Sequence, residues 1–137
     1  MLQSGCNAQN RPMKFFAVTL FVDDLARERR WYEAVFGMPV VDESPENCTF
    51  EFPDSVYVNL NTSDSASYHL ATTPLPGDGR SGRAMLSVRV DDVDNELARI
   101  AAAGTHPVTG PTDHPWGSRG ATIVDPSGNY WELFSRR

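Results

Sequence analysis

The sequence predicts an α+β fold of two βαβββ modules, in which a curved, mostly antiparallel sheet surrounds a cleft and the helices lie on the outside. Three internal matches that occur in the same order support this prediction. Val22-Asp23-Asp24-Leu25 returns as Val90-Asp91-Asp92-Val93, Gly37–Val40 returns as Gly104–Val108, and Tyr57–Leu60 returns as Tyr130–Leu133. Such self-similarity is typical of a fold built from repeated supersecondary units.

The first copy contains signals for a strand, a helix and three further strands. Phe15–Val22 is apolar and rich in β-formers, which predicts a strand buried on both faces. Asp24 is a candidate helix N-cap, and the helical spacing of Leu25, Tyr32, Val35 and Phe36 predicts a helix that Gly37 ends. The three β-runs that follow are Pro39–Asp42, Cys48–Phe52 and Val56–Asn61.

The second copy repeats this order. Met85–Val90 is the predicted strand, Asp92 the N-cap and Gly104 the helix end, with an apolar stripe of Val93, Leu97, Ile100 and Ala101. The predicted strands are Pro107–Thr109, Ala121–Val124 and Asn129–Phe134, and Gly110–Gly120 is predicted to be a long irregular loop. Because the Asp23-Asp24 and Asp91-Asp92 pairs recur at the same place, we interpret them as helix caps rather than as acid–base pairs.

These elements divide the chain into four parts of one domain. Residues 1–13 are expected to form a flexible tail, 14–61 the first module, 62–83 a linker or flap, and 84–137 the second module. The linker is dense in Ser, Thr, Gly and Pro, with one possible short strand at Tyr68–Thr72.

Composition narrows the possible partners and location. Twelve basic and 18 acidic residues give a net charge of −6, which disfavours nucleic-acid binding because that function usually needs a basic surface. No apolar run reaches the ~18 residues of a membrane span. Cys6 and Cys48 are too few for a disulfide scaffold, and neither lies in a CxxC pair, which favours a reducing cytoplasm and no structural zinc.

The closing motif Asp125-Pro126-Ser127-Gly128-Asn129-Tyr130-Trp131-Glu132-Leu133, with the paired modules, resembles the vicinal oxygen chelate superfamily. That superfamily includes glyoxalase I, extradiol dioxygenases and bleomycin-resistance binding proteins, and the resemblance covers residues 15–135. It implies the fold strongly and the function weakly, because one fold hosts many activities. The resemblance also implies a homodimer.

The resemblance further implies where a divalent metal would be held. Enzymes of the superfamily take ligands from the first and last strands of each module, and the matching positions here are Ala17, Met85, Asn59 and Glu132. Alanine has no donor atom, and a thioether prefers soft metals. His69, His106 and His114 lie in predicted loops or turns without a suitably spaced partner. We therefore expect no metal and no other cofactor.

Strand alternation predicts which side chains line the cleft, and the composition of that lining suits a small-molecule pocket. The candidate ligand-binding residues are Phe21, Glu51, Tyr57, Asn59, Met85, Trp116, Arg119 and Glu132. Trp116 is either a lid on which a planar ligand stacks or an anchor for its loop. Glu132 is a candidate general base, but it also fits ligand anchoring, pairing with Arg119 or a structural role.

Three functions stay open at this stage. The first is metal-independent binding of an aromatic or amphipathic molecule, which an acidic cleft would favour if the ligand is neutral or cationic. The second is a glyoxalase-type lyase or dioxygenase with a displaced metal site. The third is a regulator that kept the fold and lost the chemistry.

Overall fold

The computed structural model describes residues 15–63 and 84–136. The predicted N-terminal tail, the predicted strand at 68–72, His69 and almost all of the predicted linker lie outside the described residues. The described part confirms the α+β prediction, with two modules of the same βαβββ order. In the part of the chain that the structure describes, no helix is long and apolar enough to cross a membrane.

Each module is a four-stranded mixed sheet with one helix. The first contains β1 (Ala17–Val22), α1 (Leu25–Val35), β2 (Val40–Ser44), β3 (Asn47–Phe52) and β4 (Val56–Thr62). The second contains β5 (Met85–Arg89), α2 (Val93–Ala101), β6 (Thr109–Asp113), β7 (Ser118–Val124) and β8 (Tyr130–Arg136). The strand orders are β1-β4-β3-β2 and β5-β8-β7-β6, so β1 and β5 occupy equivalent edges, each parallel to its one neighbour.

The helix boundaries agree with the local sequence signals. The Asp24 and Asp92 carboxylates each accept a hydrogen bond from a first-turn N–H, of Arg27 and Asn95, at 3.1 Å. Gly37 and Gly104 have φ of +64° and +94°, the left-handed conformation that commonly ends a helix. The repeated aspartate pairs are therefore helix caps.

Two predictions about strands are wrong. β1 is an edge strand in which only Val22 is buried, whereas Thr19 is exposed and the remaining residues are half-buried. The predicted loop at Gly110–Gly120 is largely a β-hairpin in which Asp113 pairs with Arg119. The prolines and glycines of this segment led to the prediction of a loop. Both residue types are tolerated in an edge strand such as β6, which has a bulge between Thr109 and Thr112.

The core lies between each helix and its sheet, and a buried polar cluster joins the modules. Val58, Leu60, Trp131 and Leu133 are all at most 3% exposed, as strand alternation predicts. The Tyr32 hydroxyl of α1 donates to Asp125 at 2.7 Å and accepts from the Trp131 indole at 3.0 Å. The β7–β8 turn is thereby fixed against α1 of the other module.

Arg99 provides a second connection between the modules. Its guanidinium extends from α2 to the last turn of α1 and donates to the carbonyls of Ala34 and Val35. The Glu96 carboxylate forms an ion pair with the same guanidinium, with 2.8 Å between Oε1 and Nη2. Because the last carbonyls of a helix have no partner within it, Arg99 satisfies groups that α1 leaves free.

Candidate functional site

The sheet faces opposite the helices carry equivalent rows of polar side chains. In the first module the Thr49 hydroxyl donates to the side-chain oxygen Oδ1 of Asn59 at 2.6 Å, and the side-chain nitrogen Nδ2 of Asn59 donates to the Thr19 hydroxyl at 3.2 Å. In the second module the Ser87 hydroxyl donates to Glu132 at 2.9 Å, with Thr122 the register partner of Glu132 on the other side. The internal repeat therefore places Glu132 where the first module has Asn59.

The first sheet gathers the predicted residues Phe21, Glu51, Tyr57 and Asn59 on this face. The Tyr57 hydroxyl donates to Glu51 at 3.3 Å, and the Tyr57 ring lies 4.9 Å from the ring of Phe16. The negative charge of Glu51 raises the pKa of Tyr57 above its ordinary value. Tyr57 is therefore a neutral hydrogen-bonding group at physiological pH.

The second sheet has a cleft of about 370 Å³ on the same face. Its lining includes Ser87, Trp116, Ser118, Glu132, Phe134 and Arg136. Trp116 lies in the β6–β7 turn with 73% of its surface exposed, and its ring is parallel to that of His114, with centroids 4.4 Å apart and 5° between the planes. The stacked pair is a flat aromatic surface, open to solvent, beside the Glu132 carboxylate.

Gly120 leaves room for Glu132 and His114 to approach the same point. A Cβ atom on Gly120 would lie 3.2 Å from Glu132 Oε2 and 3.6 Å from His114 Nε2. A carboxylate oxygen and an imidazole nitrogen thus border one small space, and together they can accept or donate hydrogen bonds to a bound molecule. His114 is the residue that sequence reasoning did not select, although its loop position beside Trp116 was the available signal.

Two other predicted ligand-binding residues, Met85 and Arg119, are not in the lining of this cleft. Met85 is 51% exposed, and its sulfur lies 4.0 Å from the Thr122 hydroxyl, on the same face as Glu132. Arg119 lies on the helix side of β7, where it pairs with Asp94 of α2 at 2.8 Å and with Asp113 at 3.0 Å. These hydrogen bonds raise the pKa of Arg119 further, and they direct its guanidinium away from Glu132.

The four positions that resemble the superfamily's metal ligands form a poor donor set. The Asn59 oxygen already accepts from Thr49, and one Glu132 oxygen accepts from Ser87. Alanine and methionine at 17 and 85 supply no hard donor. These side chains do not fit the divalent ion that the superfamily's enzymes use. Within residues 15–63 and 84–136, no group of three or more His, Cys, Asp or Glu side chains is arranged to hold a metal ion.

Comparison with known proteins identifies the family. The model of the Glyoxalase/Bleomycin resistance protein/Dioxygenase superfamily matches residues 14–133. The chain therefore belongs to this superfamily, in agreement with the resemblance in the sequence. A search of functionally curated proteins found no significant match.

Solved structures support the same assignment. A glyoxalase/bleomycin resistance protein/dioxygenase from Nocardioides is 25% identical with a TM-score of 0.76, covering 92% of this chain and 84% of its own. A lactoylglutathione lyase from Agrobacterium tumefaciens is 28% identical with a TM-score of 0.70, covering 90% of this chain and 94% of its own. A glyoxalase-related enzyme from Fulvimarina pelagi, at 21% identity and a TM-score of 0.78, covers 90% of this chain and 88% of its own and shares the fold.

Proposed function

We propose that the cleft of the second sheet binds a small planar molecule, neutral or cationic, without a divalent metal ion. The observation that carries the proposal is the exposed Trp116–His114 stack beside the Glu132 carboxylate. An aromatic face attracts planar rings by stacking and cations through its quadrupole. Glu132 adds a negative charge, and Phe134 adds apolar surface. Arg136 lines the same cleft four residues further along β8, so the stack and Glu132 favour an aromatic or amphipathic cation at the Glu132 end.

The metal-independent part of the proposal rests on the chemistry of the four family positions. Only Glu132 supplies a hard anionic donor, and Ser87 already donates to one of its oxygens. A ligand recognised through stacking and one carboxylate needs no metal to orient it. The role proposed for Glu132 is therefore to anchor the ligand, with His114 beside it.

The test is calorimetric titration with proflavine, a planar aromatic cation, and with naphthalene-2-sulfonate, a planar anion. We expect saturable binding of proflavine, weakened about tenfold by Glu132→Gln and at least as strongly by Trp116→Ala. Tyr130→Phe is a matched control on the same strand, because it keeps the charge and the stack. The proposal is wrong if Trp116→Ala leaves proflavine affinity unchanged, or if a broad panel of aromatic and cationic compounds, bleomycin included, gives no thermal stabilisation.

One observation favours a second candidate, a glyoxalase-type lyase or dioxygenase with a displaced metal. His114 Nε2 and Glu132 Oε2 border the same space over Gly120, and both atom types bind divalent metals. Elemental analysis of protein purified without chelator or nickel resin tests it. Near-stoichiometric metal that disappears in Glu132→Ala would replace the first proposal with this one, and background metal would leave the first proposal standing.

We also propose that the protein is a homodimer. β1 forms an edge of the first sheet, and Phe15 and Phe16 before it are 66% and 68% exposed. An exposed edge beside apolar side chains favours pairing with a second copy. Light scattering coupled to gel filtration should give twice the mass of one chain, and a monomer at micromolar concentration would contradict this assembly.

A further inference from the structure

The cleft of the second sheet carries charges of opposite sign at its two ends. Glu132 and Arg136 both line it, and both belong to β8. Their Cα atoms lie about 13 Å apart, because a strand rises ~3.3 Å per residue. Leu133 and Ser135, which alternate with them, are buried, so Glu132 and Arg136 project from the same face of the sheet. The cleft is therefore anionic at one end and cationic at the other.

The guanidinium of Arg136 is available to a ligand. Arg136 is exposed, and among the described residues its side chain takes part in no ion pair and no hydrogen bond. Two other arginines of this module are already satisfied, since Arg99 pairs with Glu96 and Arg119 pairs with Asp94. An anionic ligand group can therefore bind Arg136 without displacing a contact between described residues.

Arg89 adds a second positive charge at the same end. In the parallel ladder of β5 and β8 it is the register partner of Phe134, so the two side chains stand next to each other on one face. Val88 packs against the core, and Arg89 is exposed on the face opposite to it. Phe134 thus lies between Arg89 on β5 and Arg136, which is two positions further along β8. Two guanidinium groups make this end of the face positive.

Ser118 and the aromatic stack complete the binding surface. Ser118 lines the cleft as the register partner of Arg136, so its hydroxyl can donate to an anionic group that binds there. Trp116 precedes Ser118 by two residues, and its stacking partner His114 borders the same space as the Glu132 carboxylate. The flat aromatic surface therefore extends from the carboxylate toward the serine and the arginine.

We propose that this cleft selects a planar zwitterion, an aromatic molecule with a cationic group at one end and a carboxylate at the other. This selectivity rests on the proposed function, since it requires the same stack and the same Glu132 carboxylate. The aromatic body stacks on Trp116, the cationic group binds Glu132, and the ligand carboxylate binds Arg136. A guanidinium forms paired, charge-assisted hydrogen bonds with a carboxylate, and these distinguish an acid from the corresponding amide.

The probe is 6-amidino-2-naphthoate, a flat ring system with an amidinium and a carboxylate at opposite ends. Its amide, 6-amidino-2-naphthamide, is the matched compound without the negative charge. In calorimetric titration at low ionic strength, we expect the naphthoate to bind at least about fivefold more tightly than the naphthamide. Arg136→Gln should remove this preference and leave the affinity for the naphthamide unchanged, whereas Arg89→Gln should reduce the preference only about twofold. Arg30→Gln is the matched control, because it removes an exposed charge of α1.

Three results would overturn the proposal, and they separate it from the proposed function. If the naphthoate and the naphthamide bind equally well and both lose affinity in Trp116→Ala, the stacking site stands and the selectivity for a zwitterion is wrong. If the preference survives Arg136→Gln, or if Arg30→Gln abolishes it as well, the ligand carboxylate does not bind Arg136. If neither compound binds, or if Trp116→Ala changes neither affinity, both proposals fail.

Discussion

Glu28 gives the sharpest test of the packing between the modules, because it is a carboxyl group buried in their interface. It is fully buried on α1, and Asp125 of the β7–β8 turn is 3% exposed. Ser127 donates to Glu28 from its hydroxyl at 2.9 Å and from its N–H at 3.3 Å. Asp125 already accepts from Tyr32, Ser127 and Asn129, as an ionised carboxylate would. Glu28 is therefore the member of this acidic pair that keeps a proton.

The size of the effect follows from the pKa of Glu28. Burial and, next, the negative charge of Asp125 raise that pKa from 4.5 to about 7, against the opposing hydrogen bonds from Ser127. The folded protein thus holds a proton at pH values where the unfolded chain has released it. The stabilisation that comes from this proton is fully present below pH 4.5 and is lost as the pH rises through about 7. At about 1.4 kcal/mol per pH unit, the loss amounts to ~3 kcal/mol.

The measurement compares urea unfolding of the wild type and Glu28→Gln between pH 5 and pH 8.5. Glutamine has the shape of the protonated acid, so its oxygen can accept from Ser127 and its amide can donate to Asp125. We expect the wild type to lose ~3 kcal/mol across this range relative to the variant, or roughly 10 °C in Tm. Contributions common to both proteins cancel in the difference, and Glu33→Gln on the exposed face of α1 is the matched control. Parallel pH profiles of wild type and Glu28→Gln would refute the assigned proton.

Three further predictions concern single positions. Gly110→Ala should destabilise the fold by about 2 kcal/mol or more, because its Cβ would lie 2.6 Å from the Gly120 carbonyl oxygen. Gly104→Ala, also at positive φ but with open space around it, should cost only ~1 kcal/mol in the same thermal unfolding assay, and equal losses would contradict the steric argument. Arg99→Gln should cost ~1 kcal/mol and increase amide exchange in the last turn of α1, whereas unchanged exchange would show that this turn does not depend on Arg99. Trp116→Ala should change the free energy of unfolding by less than ~0.5 kcal/mol, and a loss above ~2 kcal/mol would mean that the ring anchors its loop.

The Trp116 result decides between the two interpretations that its sequence position left open. An indole with 73% of its surface exposed contributes little burial energy, so it is a weak anchor for its loop. Cys48 lies in the predicted strand Cys48–Phe52, and it is 1% exposed with a pKa raised by burial. For Trp116 the loop position was visible in the sequence, but the exposure of its ring was not.

Local sequence patterns were enough to predict the two modules, the helix caps at Asp24 and Asp92, the helix ends at Gly37 and Gly104, and the core face of β4 and β8. These features depend on capping, glycine conformation and strand alternation, which act over a few residues. Three features became visible only in the packed molecule: Arg119 lies against α2, His114 approaches Glu132 over Gly120, and Glu28 is buried. The Glu28 contact with Ser127 joins residues 99 positions apart, so its proton depends on how the modules pack, which no local pattern encodes.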